Sequence, residues 1–171
     1  LLAHGIWLSD RERRAVEESG SALVHCPTSN AFLESGVMDL PAARLAGCRV
    51  ALGSDVAAGP SLDLFEVMRQ SVFAQRLAKA HGLFKTPPKA TPLKAFALAT
   101  LGGARALELP EGAGTLTAGA PADFVLLDFS AYDPFAPAPD AAAAVARLVY
   151  RASRAAVRAT FVAGRRVWGR L

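Results

Sequence analysis

Apolar positions along this chain follow two periods. Residues 1–4, 22–26 and 49–52 are short, nearly unbroken apolar runs, the length of buried strands. Between them apolar residues recur every three or four positions, as on one face of a helix. Ser9 and Glu12 have the spacing of a capping box, so a helix is expected from there to about Ser19, with Gly20 as its stop. Asp39, Pro41 and Gly47 punctuate a shorter helix in the same way. Ser61 is read as the cap of a long helix to about Ala80, with Leu62, Phe65, Met68, Val72 and Phe73 at helical spacing. Thr91-Pro92 opens another that reaches about Leu107, and residues 27–30 read as a polar loop.

Strand and helix therefore alternate three times, each helix a crossover between parallel strands. That order predicts an α/β fold, either a barrel or a doubly wound sheet. Past Leu109 the pattern changes. Residues 111–120 are glycine-rich, residues 123–128 read as a buried strand, and residues 130–140 form a proline- and alanine-rich loop. Residues 147–150 read as a further strand. Residues 157–162 and 166–168, separated by Ala163-Gly164-Arg165, read as a hairpin. The expectation is a small separate sheet beside the α/β part, with the boundary between residues 109 and 110.

Composition narrows the function classes. Hydrophobic residues are 52% and charged residues 20%, as in globular chains. No apolar run reaches membrane-spanning length, so no membrane partner is expected. Cys26 and Cys48 stand in no CxxC spacing, which argues against a disulfide scaffold and makes the cytoplasm the expected compartment. Residues 141–171 hold seven arginines and no acid, leaving residues 1–140 at −3 of the overall +4. These arginines alternate with apolar residues as solvent-facing strand positions do, so no nucleic-acid partner is expected.

Candidate chemistry lies at strand ends, where barrels carry their catalytic groups. His4, His25 and Asp55 each sit at the end of one of the three apolar runs. Asp55 is a candidate to hold a metal or accept a proton from an activated water, and by position it could equally cap a loop. His4 could polarise a substrate or hold a metal, although a histidine there is more often a satisfied core residue. His25 carries the same two readings, while His81 sits at a helix end and complements its dipole. Ser29 and Asn30 either hydrogen-bond a polar ligand or supply ordinary turn chemistry.

Ala3-His4-Gly5 with Leu8-Ser9, His25-Cys26-Pro27-Thr28-Ser29-Asn30, and Leu52-Gly53-Ser54-Asp55-Val56 together resemble the last three barrel strands of the amidohydrolase superfamily. Phe32-Leu33-x-Ser35-Gly36, Asp55-Val56-Ala57-Ala58-Gly59 and Ala99-Thr100-Leu101-Gly102-Gly103-Ala104 are similar to its guanine deaminase branch. Gly114-Thr115-Leu116, Pro121-Ala122-Asp123-Phe124 and Val162-Ala163-Gly164-Arg165 resemble that family's C-terminal sheet. The resemblance implies the C-terminal part of a (β/α)8 TIM-like barrel over residues 1–109, then part of a β-sandwich or composite domain over residues 110–171. It implies hydrolytic deamination of guanine, a small-molecule purine, to xanthine and ammonia by a zinc-activated water. Asp55 would ligate Zn2+ and shuttle the proton, and His4 would stabilise the attacking group. His25, Ser29 and Asn30 would bind substrate by shaping the pocket wall, and a homodimer is the implied assembly. The family's His-x-His pair, its fifth-strand histidine and its catalytic glutamate have no counterpart in these 171 residues, so the chain alone is expected to be inactive. Two alternatives stay open: an amidohydrolase acting on another aminopurine, pterin or triazine ring, and a non-enzymatic half-barrel module.

Overall fold

Local signals set the first elements. The computed structural model, which describes residues 1–131 and 140–170, places helix α1 at Asp10–Glu18 behind a complete capping box. Ser9 Oγ accepts from the Glu12 amide at 3.2 Å, and Glu12 Oε2 accepts from the Ser9 amide at 2.7 Å. Strands β1 (Leu2–Ala3), β2 (Ala22–His25) and β3 (Arg49–Leu52) are parallel and adjacent in that order, with Leu2 opposite Leu23 and His25 opposite Leu52. The short helix α3 (Leu40–Leu45) is capped by Asp39, as its sequence predicts. The expected helix from Thr91 runs as α5 (Pro92–Ala97), a π turn (Leu98–Gly102) and α6 (Gly103–Ala106).

Side-chain alternation on the strands separates two faces. Leu23 and Val50 pack with Val16, Met38, Ala43 and Cys48 beneath the helices. Leu52 packs on the same side with Val67, Met68, Val72, Ala95 and Val149. Small residues face the other way: Ala22 and Ala51 meet Ala106. Gly53 continues that face, where a Cβ would stand 2.6 Å from Val24 Cγ1, so only glycine fits. Gly102 lets its helix approach β3, because a Cβ there would stand 2.8 Å from the Val50 carbonyl oxygen.

Several elements depart from the sequence-based expectation. Residues 27–30 are not a loop but the start of helix α2 (Pro27–Phe32), with proline in its first turn and its polar residues turned inward. The long helix, α4, spans Leu64–Ala80, and its cap is Asp63, which accepts from the Phe65 amide at 2.9 Å. Ser61 acts one step earlier, accepting from the Asp63 amide at 3.0 Å. β1 exists, but Leu1 and Leu2 are exposed, because only β2 flanks it among the described residues.

Residues 147–150 belong to a helix rather than a strand. Helix α7 (Ala141–Arg151) starts at Asp140, which accepts from the Ala143 amide at 2.7 Å. Four alanines of high helix propensity open it. Leu148 and Val149 are buried, and Arg69 ties the helix to α4 by donating to the carbonyls of Val149 (3.2 Å) and Ala152 (2.7 Å). Arg147 and Arg151 are therefore helical and do not alternate on a strand. Strands β4 (Phe124–Leu127), β5 (Val157–Val162) and β6 (Arg165–Gly169) form a second, antiparallel sheet in that order, with the expected hairpin between the last two. Phe124 and Phe161 stack across it at 4.6 Å, while Val125 and Leu126 of β4 are exposed where a buried strand was expected. Most of the expected proline-rich loop, residues 132–139, lies outside the described residues. No helix of the described residues is long and apolar enough to cross a membrane.

His25 shares the helix-facing side of β2 with Leu23 and is fully buried, beside Pro27, Ala31 and Ala74. Neither ring nitrogen has a hydrogen-bond partner among the described residues, and burial pushes its pKa down to about 4.

Two outcomes follow from this packing. Met68→Ala, in the layer between β3 and α7, is expected to cost about 2–5 kcal/mol in urea denaturation, whereas Leu116→Ala, at an exposed position, stays within about 0.5 kcal/mol. For His25, the unfolded chain binds a proton below the ordinary value of 6.5 and the folded chain resists it until about 4. Its contribution to stability is therefore fully present above pH 6.5 and is lost as pH falls toward 4, a change of about 3 kcal/mol. Denaturation of wild type and His25→Gln across pH 4–7 should show that difference in slope.

Candidate active site

The ends of the three parallel strands meet above β2. His4 follows β1, still bonded to the sheet through its amide to the Val24 carbonyl at 2.9 Å. Asp55 follows β3. Both turn sharply, with φ of +69° at His4 and +50° at Asp55, a left-handed backbone that side chains other than glycine rarely adopt. Strained backbone of this kind clusters at functional sites. The Asp55 loop closes on itself where the Gly59 amide donates to the Asp55 carbonyl.

These turns aim the two side chains at each other. His4 Nε2 stands 3.6 Å from Asp55 Oδ2. Both side chains remain reachable from solvent, at 40% exposure for His4 and 31% for Asp55. Beneath them lies α2, whose Ser29 and Asn30 are buried. Ser29 Oγ donates to Asp55 Oδ2 at 2.7 Å, and His4 Nδ1 donates to Asn30 Oδ1 at 2.8 Å. Nδ1 carries that hydrogen, and Nε2 is the nitrogen that faces Asp55.

Four of the sequence candidates, His4, Ser29, Asn30 and Asp55, thus form one cluster. His25 stands apart from it. The alternation of β2 turns its ring toward the helices, so the three strand ends do not converge as three equivalent side chains. His81 caps the C-terminal end of α4, as its position predicts. Cys26 and Cys48 are free thiols, both held above the ordinary range by burial. The pairing of Ser29 with Asp55 and Asn30 with His4 is not visible in the sequence. Its only sign there is an adjacent polar pair directly after an apolar strand.

Chemically, the cluster offers an imidazole nitrogen and a carboxylate with one oxygen already fixed. Oδ2 of Asp55 takes Ser29, and Oδ1 takes no hydrogen bond from the described residues. A carboxylate so arranged suits a proton acceptor or one metal ligand. Catalytic zinc sites use about three protein ligands with a water. Among the described residues no group of three or more histidine, cysteine or acidic side chains could hold an ion. The donor set therefore fits one side of a zinc site and is too small to close it.

Comparison with known proteins places the chain in a family. The Amidohydrolase family profile matches residues 1–167. A 5-methylthioadenosine/S-adenosylhomocysteine deaminase of Thermococcus sibiricus is 41% identical over 131 residues, 76% of this chain and 29% of the relative. Guanine deaminase of E. coli superimposes with a TM-score of 0.84 at 28% identity, covering 99% of this chain and 38% of that one. A zinc-bound adenosine deaminase of Xanthomonas campestris gives a TM-score of 0.79 at 32% identity, covering 98% and 36%. The chain thus spans about a third of the length of the relatives it matches. The chain belongs to the amidohydrolase family, in which it is guanine deaminase-like.

Proposed function

We propose that this chain is the C-terminal part of a (β/α)8-barrel deaminase that converts guanine and water to xanthine and ammonia. Strands β1 to β3 and their helices would be the last three barrel units, within residues 1–109. Residues 110–171 would belong to a composite β domain, with α7 packed back onto the barrel helices. The observation that carries this reading is the His4–Asp55 pair on the ends of parallel strands, 3.6 Å apart. Further support comes from the sequential strand order and from a fold covering 38% of a guanine deaminase.

In this reading Asp55 would be one ligand of a zinc ion, the others lying outside these residues. Such an ion, when bound, supplies Lewis acidity that lowers the pKa of water. Asp55 accepts the proton of the attacking water and returns it to the departing amine, so that ammonia leaves neutral. His4 acts from the other side. With Nδ1–H engaged by Asn30, a neutral ring offers Nε2 as an acceptor to the water, and a protonated one offers it as a donor to the developing oxygen. His25 supports the wall beneath α2 without reaching solvent.

One observation favours a second reading, in which the ring is an adenine-type aminopurine: the 41%-identical relative is a 5-methylthioadenosine/S-adenosylhomocysteine deaminase. In both ring types the amino group sits on a carbon bonded to a ring nitrogen, and the same pair can serve it. The motifs around Phe32 and Asp55 favour guanine.

The test is an assay of these residues expressed together with the reading frame preceding Leu1, with zinc supplied, on guanine and on 5′-methylthioadenosine. Xanthine should form steadily, and Asp55→Asn should lower kcat by about 10²–10⁴-fold. Residues 1–171 alone should show no turnover. A folded, zinc-loaded protein active only on the adenosine substrate would establish the second reading, and activity on neither would overturn both.

A further inference from the structure

We propose that Ser29 and Asn30 are positioning residues: one buried turn of α2 sets the hydrogen-bonding state of both reacting groups, Ser29 that of Asp55 and Asn30 that of His4. The proposal rests on the deaminase reading for the roles of His4 and Asp55, and it adds the residues that hold them.

β2 is the middle strand, flanked by β1 with His4 and by β3 with Asp55. A helical turn placed directly after β2 is therefore next to both strand ends. Neighbouring residues on a helix point about 100° apart, so consecutive side chains can reach to opposite sides. Ser29 reaches one side, at 2.7 Å from Asp55 Oδ2, and Asn30 the other, at 2.8 Å from His4 Nδ1. Burial then separates positioning from substrate contact. Ser29 is 0% and Asn30 3% exposed, so a purine at the open side meets His4 and Asp55 and not the pair behind them.

Each bond selects a state. A hydroxyl has one hydrogen to give, and Ser29 gives it to Oδ2, leaving Oδ1 without a hydrogen bond from the described residues. An amide oxygen only accepts, so Asn30 Oδ1 requires the hydrogen on Nδ1 of His4 and turns Nε2 to the site. Thr28, in the same turn, supplies an internal contrast. Its hydroxyl is buried and reaches neither His4 nor Asp55, with no hydrogen-bond partner among the described residues.

The two bonds can be tested separately, and neither test depends on guanine being the substrate. Imidazole 15N NMR at alkaline pH reads the His4 tautomer, with His4→Gln identifying its signals among the three histidines. The hydrogen should sit on Nδ1 in the wild-type chain and in Asn30→Asp, which keeps an acceptor. In Asn30→Ala it should redistribute toward Nε2. For Ser29, zinc affinity and kinetics of the extended protein are compared. Ser29→Ala should weaken zinc binding and lower kcat by about 10–100-fold with KM little changed. Ser29→Thr should restore both, and Thr28→Val should change neither. Folding of each variant is checked by circular dichroism, and the conservative pair Asn30→Asp and Ser29→Thr keeps the test decisive if an alanine variant unfolds. An unchanged His4 tautomer in Asn30→Ala, loss of the Nδ1 tautomer in Asn30→Asp, no rescue by Ser29→Thr, or equal losses in Thr28→Val would overturn the proposal. If no purine is turned over while the tautomer and zinc affinity shift as described, the positioning role stands and the deaminase reading fails.

Discussion

Two hydrogen bonds, from Ser29 to Asp55 and from His4 to Asn30, join the ends of three adjacent parallel strands. Much of the surrounding structure keeps them short. The register places His25 opposite Leu52, so α2 leaves β2 level with the turn that carries Asp55. Gly53 clears Val24 and lets β3 end close to β2. The left-handed residues His4 and Asp55 then bend both chains inward. A slip of one residue in either strand pair would exchange the helix-facing and open faces and remove the cluster.

The helix layer holds this register. Leu23, Val50 and Leu52 insert on one side of the sheet into two contiguous apolar clusters, and α4 is shared between the second of these and α7. Residues beyond 140 therefore brace the same body that carries the cluster, through Val149 and the Arg69 hydrogen bonds. The opposite face carries Ala22, Val24, Ala51 and Gly53, and α6 meets it through Ala106.

Where a single local signal decides an element, the sequence was readable. The Ser9–Glu12 box, Asp39 before Pro41, Thr91-Pro92 and the Ala163-Gly164 turn each named a boundary that the structure keeps. Where two signals compete, it was not. Pro27-Thr28-Ser29-Asn30 has loop composition, and only tertiary hydrogen bonds to residues 26 positions away make a buried helical turn of it. Residues 147–150 form an apolar run of strand length, and their helical period emerges only when the preceding alanines are included. For the site, position at a strand end located His4 and Asp55. The same criterion also selected His25, which strand alternation turns the other way. Facing direction needs the register, and the register is set by residues far apart in the chain.

In the proposed deaminase, Asp55, fixed through Oδ2, would present its remaining oxygen to a catalytic zinc ion. The most direct measurement is an anomalous-diffraction map at the zinc edge from crystals of the protein extended upstream of Leu1. The account predicts one strong peak about 2.0–2.2 Å from an Asp55 carboxylate oxygen, with Ser29 still bonded to the other. A zinc-loaded protein whose only peak lies outside the reach of Asp55 would contradict it.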